Sequence, residues 1–122
     1  MATPAEFEVV FAALKGLMER HAGALTVQED TPGRYMLGAG YSEKRKRTIC
    51  AGGVEIRKHY VTYHLMAVYA FPDLLRGMAP ALRKRMQGKA CFNFTAVDPA
   101  LMKELGRLTK LGFERFAKLR FD

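Results

Sequence analysis

The sequence predicts an α+β fold: a mostly antiparallel sheet of about five strands packed on an N-terminal helix and a long C-terminal helix, with two short helices before the last strand. Three observations carry this expectation. Residues 54–69 are rich in β-branched and aromatic side chains that alternate inward and outward, the period of a strand. Apolar residues recur at helical spacing at both ends of the chain, from Phe7 and again from Leu101. The order is helix, strands, two short helices, strand, helix, and runs of strands flanked by helices indicate α+β rather than a doubly wound parallel sheet. At 122 residues the chain is read as a single domain, 1–122.

The first helix starts at Thr3-Pro4-Ala5-Glu6, a capping residue, a proline at the first helical position and an acid completing a capping box. Phe7, Val10, Phe11, Leu14, Leu17, Met18 and His21 follow on one face, and Gly23 is the expected stop. His21 there is favoured by the helix dipole. Residues 24–28 read as a short strand with Leu25 and Val27 inward. A turn over 29–33 leads to a partner strand from Arg34 to Gly38, with Tyr35 and Leu37 inward. Residues 38–47 read as a Gly-rich and then basic loop. Gly38-Ala39-Gly40 is not a phosphate loop, because neither Lys-Ser nor Lys-Thr follows and no helix opens there. Strand character resumes at Thr48, and Gly52-Gly53 is the expected bulge.

The central stretch reads as a hairpin reversing at Lys58-His59, with Ile56 opposite Val61, Glu55 opposite Thr62 and Val54 opposite Tyr63. The favoured two-residue loops need positive φ, which Asn and Gly adopt easily and Lys58 does not. Val54, Ile56, Val61, Tyr63, Leu65, Ala67 and Tyr69 then share a core face. A one-residue slip would strip that face of its apolar area, so the pairing is better specified than the turn. After Pro72-Asp73 a short helix runs to Gly77, and another runs from Pro80 to Gly88, with Ala79 a poor cap. Residues 89–95 form the last strand, with Ala90, Phe92 and Phe94 inward. Asp98-Pro99 opens the last helix, expected to reach about Leu119. Its buried stripe is Leu101, Met102, Leu105, Leu108, Gly112, Phe113 and Phe116, and its wet side carries Lys103, Arg107, Lys110 and Lys118. Gly106 and Gly112 are expected to allow close packing on the sheet.

Composition narrows the function classes. Hydrophobic residues make up 49% of a chain without low-complexity segments, as in a folded globule. No apolar run approaches the ~20 residues of a membrane span, and no secretion signal is visible. The expected address is cytoplasmic, where the two cysteines stay reduced. A net charge of +8, from 20 basic and 12 acidic residues, invites nucleic-acid binding as an alternative. The basic clusters are Lys44-Arg45-Lys46-Arg47 and Arg83-Lys84-Arg85 with Lys89. No nucleic-acid motif accompanies them, and a solvated surface accounts for them.

The chemistry is expected on the second face of the sheet, with Glu55, Tyr60, Thr62, His64 and Met66 from the hairpin. Lys89, Cys91 and Asn93 join if the last strand lies alongside. His64, Cys91 and Glu55 are candidate ligands for a transition metal, iron or zinc. Cys91 with His64 also has the composition of an activated nucleophile. Tyr60, Thr62, Met66, Lys89 and Asn93 would complete a ligand face. The leading expectation is a small non-enzymatic binding or adaptor domain that uses this face for a small ligand, a protein partner or a second copy of the chain.

Three segments carry a resemblance: residues 54–66, Phe71-Pro72-Asp73-Leu74-Leu75, and Met86-Gln-Gly-Lys-Ala-Cys-Phe-Asn-Phe94. Together they resemble the YdhG-like family, small α+β domains of unknown function, over about residues 49–116. Ala79 stands where relatives tend to have a capping serine. The family includes a frataxin-type iron chaperone, so the resemblance implies iron delivery as an alternative role. Frataxin-like iron binding uses a ridge of carboxylates, whereas the twelve acids here are scattered and the net charge of +8 repels cations. No iron-binding residue is therefore carried over.

Overall fold

A computed structural model describes residues 4–23 and 25–118. Helix α1 (Pro4–His21) leads into strands β1 (Thr26–Thr31), β2 (Arg34–Ser42), β3 (Arg47–Ile56) and β4 (Val61–Leu65). Helix α2 (Met66–Ala70), a 3-10 turn (Pro72–Leu75) and helix α3 (Pro80–Arg83) follow, then β5 (Met86–Gln87), β6 (Cys91–Phe94) and helix α4 (Pro99–Phe116). The fold is α+β, and the six strands form one antiparallel sheet in the order β1-β2-β3-β4-β6-β5.

Both long helices pack on one face of the sheet, where sheet and helix residues share a single hydrophobic core. The expected apolar positions of α1 from Phe7 to Met18 are buried, as is every residue of the predicted stripe of α4. Gly23 stops α1 with φ of +48°, a conformation that glycine alone adopts without cost. The Asp98 carboxylate caps α4 by accepting from the backbone N–H of Ala100 at 3.1 Å and of Leu101 at 3.3 Å. The proposed capping residue Thr3 lies outside the described residues. No helix among the described residues is long and apolar enough to cross a membrane.

The central pairing follows the predicted register, with Ile56, Glu55 and Val54 opposite Val61, Thr62 and Tyr63. The turn does not use positive φ: among the described non-glycine residues only Lys46 does. The hairpin closes instead through the Arg57 N–H, which donates to the Tyr60 carbonyl at 2.8 Å.

Elsewhere the structure corrects the sequence reading. Strand β4 does not run on to Tyr69 but ends at Leu65, and the chain enters α2. Helical geometry buries Ala67 and Val68 together and turns Tyr69 outward, 57% exposed, so Tyr69 is not a core residue. Ala67 fits there because Gly112 faces it; a Cβ on Gly112 would lie 2.7 Å from the Ala67 methyl. The close packing expected of α4 is therefore against α2 rather than the sheet. Strand β2 continues to Ser42, so the loop between β2 and β3 shrinks to residues 43–46. The irregularity expected at Gly52-Gly53 falls at Ala51, which is skipped between the pairs Gly38–Cys50 and Leu37–Gly52. Val27 faces the same side as its register partner Leu37, as expected, but is 51% exposed because it sits on the edge strand beside a register shift. Helix α3 ends at Arg83, and Met86–Gln87 becomes a sixth strand paired with Phe92 and Cys91. The helix expected over 73–77 is only the 3-10 turn.

Candidate functional site

The helices cover one face of the sheet, and the opposite face lines an open groove of about 360 Å³. Alternation along each strand decides what that groove contains. Because paired residues point the same way, two rows of side chains run across the sheet. One is Glu29, Met36, Gly53, His64, Cys91 and Gln87, one residue from each strand. The next is Thr31, Arg34, Glu55, Thr62 and Asn93.

His64 and Cys91 are register partners on β4 and β6, and their side chains meet: the His64 Nδ1 lies 3.2 Å from the Cys91 Sγ. Both are half-buried. Burial pushes the His64 imidazole below its usual range, which favours the neutral ring at neutral pH. A neutral ring with Nδ1 unprotonated accepts the Cys91 S–H, and so has the arrangement of a base next to a nucleophile. Asn93, two pairs along on the same face, donates through Nδ2 to the Gln87 Oε1 at 2.6 Å. Its Oδ1 is buried with no hydrogen-bond partner.

Glu55 lines the same groove, but its carboxylate is taken by two arginines. It sits 3.1 Å from the Arg34 Nε and 2.6 Å from the Arg57 Nε. Arg34 also reaches the Glu29 carboxylate at 2.9 Å. Among the described residues no group of three or more His, Cys, Asp and Glu side chains is placed to hold a metal ion. Of the candidate metal ligands, the structure thus brings His64 and Cys91 into contact and engages Glu55 elsewhere. The pair they make is a nitrogen and a sulfur donor, a set that suits zinc better than iron.

Comparison with protein-family models, curated proteins and solved structures finds no match.

Tyr60, Thr62 and Asn93 line the groove as expected. Met66 and Lys89 do not. Met66 opens α2, because β4 has already ended. Lys89 falls in the turn between β5 and β6, with its ammonium 5.9 Å from the centre of the Tyr69 ring, beside a separate recess of about 630 Å³. Arg34, Met36, Cys50, Gly53 and Gln87 line the groove and were not anticipated. The inward assignment of Tyr35 and Leu37 already placed Arg34 and Met36 outward. What was missing was the pairing of β2 with β3. The Cys50 thiol points to the Gly52 carbonyl at 3.8 Å, and burial pushes its pKa up, so it stays a protonated thiol.

Proposed function

We propose that the chain is a small-molecule binding domain whose ligand lies in the open groove on the sheet, across Thr62, His64, Cys91 and Asn93. The observation that carries this reading is the groove itself, about 360 Å³ on a face that the helices leave uncovered, with the His64–Cys91 pair on its floor. That volume is at the lower end of the range for small-ligand sites, which favours a compact metabolite over a polymer. Polar groups of several kinds converge there: a hydroxyl from Thr62, amides from Asn93 and Gln87, and the phenol of Tyr60.

The test is amide NMR of the whole chain titrated with a set of small polar molecules. The expected result is saturable shifts at Thr62, His64, Cys91 and Asn93, with the core-face residues between them moving less. A set in which no compound perturbs these four residues overturns the proposal.

A further inference from the structure

We infer that Cys91 is a nucleophilic thiol that exchanges with small disulfides, with His64 as the group that takes and returns its proton. The inference rests on the groove being open to small molecules, and it names the chemistry of that site. Three observations carry it. The Cys91 Sγ and the His64 Nδ1 are 3.2 Å apart, so a proton moves between them without rearrangement. Both side chains line a groove of about 360 Å³, which gives a second molecule access to the sulfur. The two strands hold them as direct register partners, so the pair is set by backbone pairing and not by a loop.

The type of electrophile follows from what surrounds the pair. Attack on an acyl carbon builds an oxyanion that needs preorganised donors. Of the two side-chain amides in the groove, the Asn93 Nδ2 is committed to the Gln87 Oε1 at 2.6 Å, which leaves the Gln87 Nε2 as a single amide donor rather than a preorganised pair. Exchange at sulfur builds no oxyanion; it needs an attacking sulfur and a proton for the leaving one. The charged and titratable groups facing His64 across the groove are Cys91 on β6, Tyr60 just before β4, Cys50, Glu55 and Arg57 on and after β3, and Arg34 on β2. Glu29 and Glu55 offset Arg34 and Arg57 through the ion pairs, so the groove selects a disulfide by size rather than by charge.

The Cys91 Sγ–H proton passes to the His64 Nδ1 as the Cys91 sulfur bonds to one sulfur of RS–SR. The S–S bond of the small molecule breaks, and the departing sulfur keeps the electron pair. It then takes the proton from the His64 imidazolium and leaves as RSH. Cys91 is oxidised to a mixed disulfide, and half of the small disulfide is reduced to a thiol.

The experiment measures the rate at which bis(hydroxyethyl) disulfide adds to Cys91 in the intact chain. Acid-quenched samples are digested and the Cys91 peptide is read by mass spectrometry from pH 5 to pH 9.5. A thiol without a base ionises near pH 8.5 and is only about 1% thiolate at pH 6.5, so its rate climbs about tenfold per pH unit below that. With His64 as base, the rate instead rises at acid pH with the neutral fraction of the imidazole and then levels through neutral pH. His64→Gln is expected to react about tenfold or more slowly at neutral pH and to converge on the wild type at the alkaline end. The wild-type profile stands as a test by itself if the variant does not fold. A wild-type rate that climbs tenfold per unit through neutral pH overturns the inference, and so does a folded His64→Gln with unchanged kinetics. Saturable ligand shifts combined with ordinary thiol kinetics would overturn this inference while leaving the binding groove standing. Fast exchange without any ligand shift would overturn the binding proposal alone.

Discussion

The buried bond between Tyr63 and Thr109 joins the sheet to α4, and its direction can be worked out. The Thr109 Oγ1 lies 2.8 Å from the Leu105 carbonyl and can only donate to it. A threonine hydroxyl has one hydrogen. The Tyr63 hydroxyl, in contact with the Thr109 Oγ1, must therefore donate to it. Tyr63 is fully buried and burial pushes its phenol pKa up, so it stays a donor at any ordinary pH. The chain of donation runs from Tyr63 to Thr109 to the Leu105 carbonyl.

This direction makes the two deletions unequal. Tyr63→Phe removes a donor but leaves Thr109 bonded to Leu105, which costs roughly 0.5–1.5 kcal/mol as for one ordinary hydrogen bond. Thr109→Val strands a buried phenol O–H without an acceptor, which costs about 1–3 kcal/mol for the orphaned group beyond the lost bond. The double variant removes both polar groups, and its cost should fall below the sum of the singles by roughly 1–2 kcal/mol. Urea unfolding followed by far-ultraviolet circular dichroism, with unchanged m-values, measures all three. The reasoning is refuted if Tyr63→Phe costs as much as Thr109→Val and the pair is additive to within about 0.5 kcal/mol. Tyr63 sits between Thr62 and His64 in β4, so the same bond holds the strand whose other face bears the site.

Other expected outcomes follow from single contacts. Gly53→Ala would put a Cβ against the Met36 Sδ and 2.7 Å from the Tyr35 carbonyl oxygen; the thioether can swing away but the backbone cannot. An overpacking loss of about 1–3 kcal/mol in urea unfolding and a displaced Met36 methyl resonance are expected; unchanged values for both would mean the strands are not so close. Asp98→Ala should cost about 1 kcal/mol by removing the cap of α4, read from the same unfolding curves. The His64 pKa is lowered in the folded chain, so the unfolded chain takes up the proton first and stability falls as the pH drops below 6.5. His64→Gln should flatten the unfolding midpoint between pH 7.5 and pH 5 relative to wild type, and parallel curves for the two proteins would contradict this.

Where the sequence reading succeeded, local and tertiary preferences agreed. Val54, Val61 and Tyr63 had one register that buried them all, and the stripe of α4 admitted one face. It failed where tertiary pairing overrode local signals. Gly38-Ala39-Gly40 looks like a loop by composition, yet pairing with β3 carries β2 to Ser42. Gly38 is glycine for room: a Cβ there would meet the Thr48 Cγ2 at 2.7 Å. Met86–Gln87 is too short to register as a strand from its own residues, and only the ladder to Phe92 and Cys91 makes it one. His64 and Cys91 were legible because alternation fixed the face of each and one strand pairing joined them. Met66 was misplaced because alternation contains no signal for where a strand ends.

The end of β4 at Leu65 shapes the site more than any single side chain in it. Had the strand continued, Met66 and Val68 would have extended the groove face with apolar side chains, and Ala67 would have lacked the Gly112 contact that seats it. Because the chain instead turns into α2, His64 is the last residue of β4 that faces the groove. Its partner Cys91 is the first residue of β6, and one more backbone bond, from the Leu65 N–H to the Ala90 carbonyl at 2.8 Å, closes the pairing beyond them. The pair is the last in the β4–β6 register, half-buried and lining the groove. One step further into the ladder, between flanking side chains on both sides, the same contact would read as packing. At the end of the ladder and over an open groove, it is a nitrogen and a sulfur held together where a small molecule can reach them.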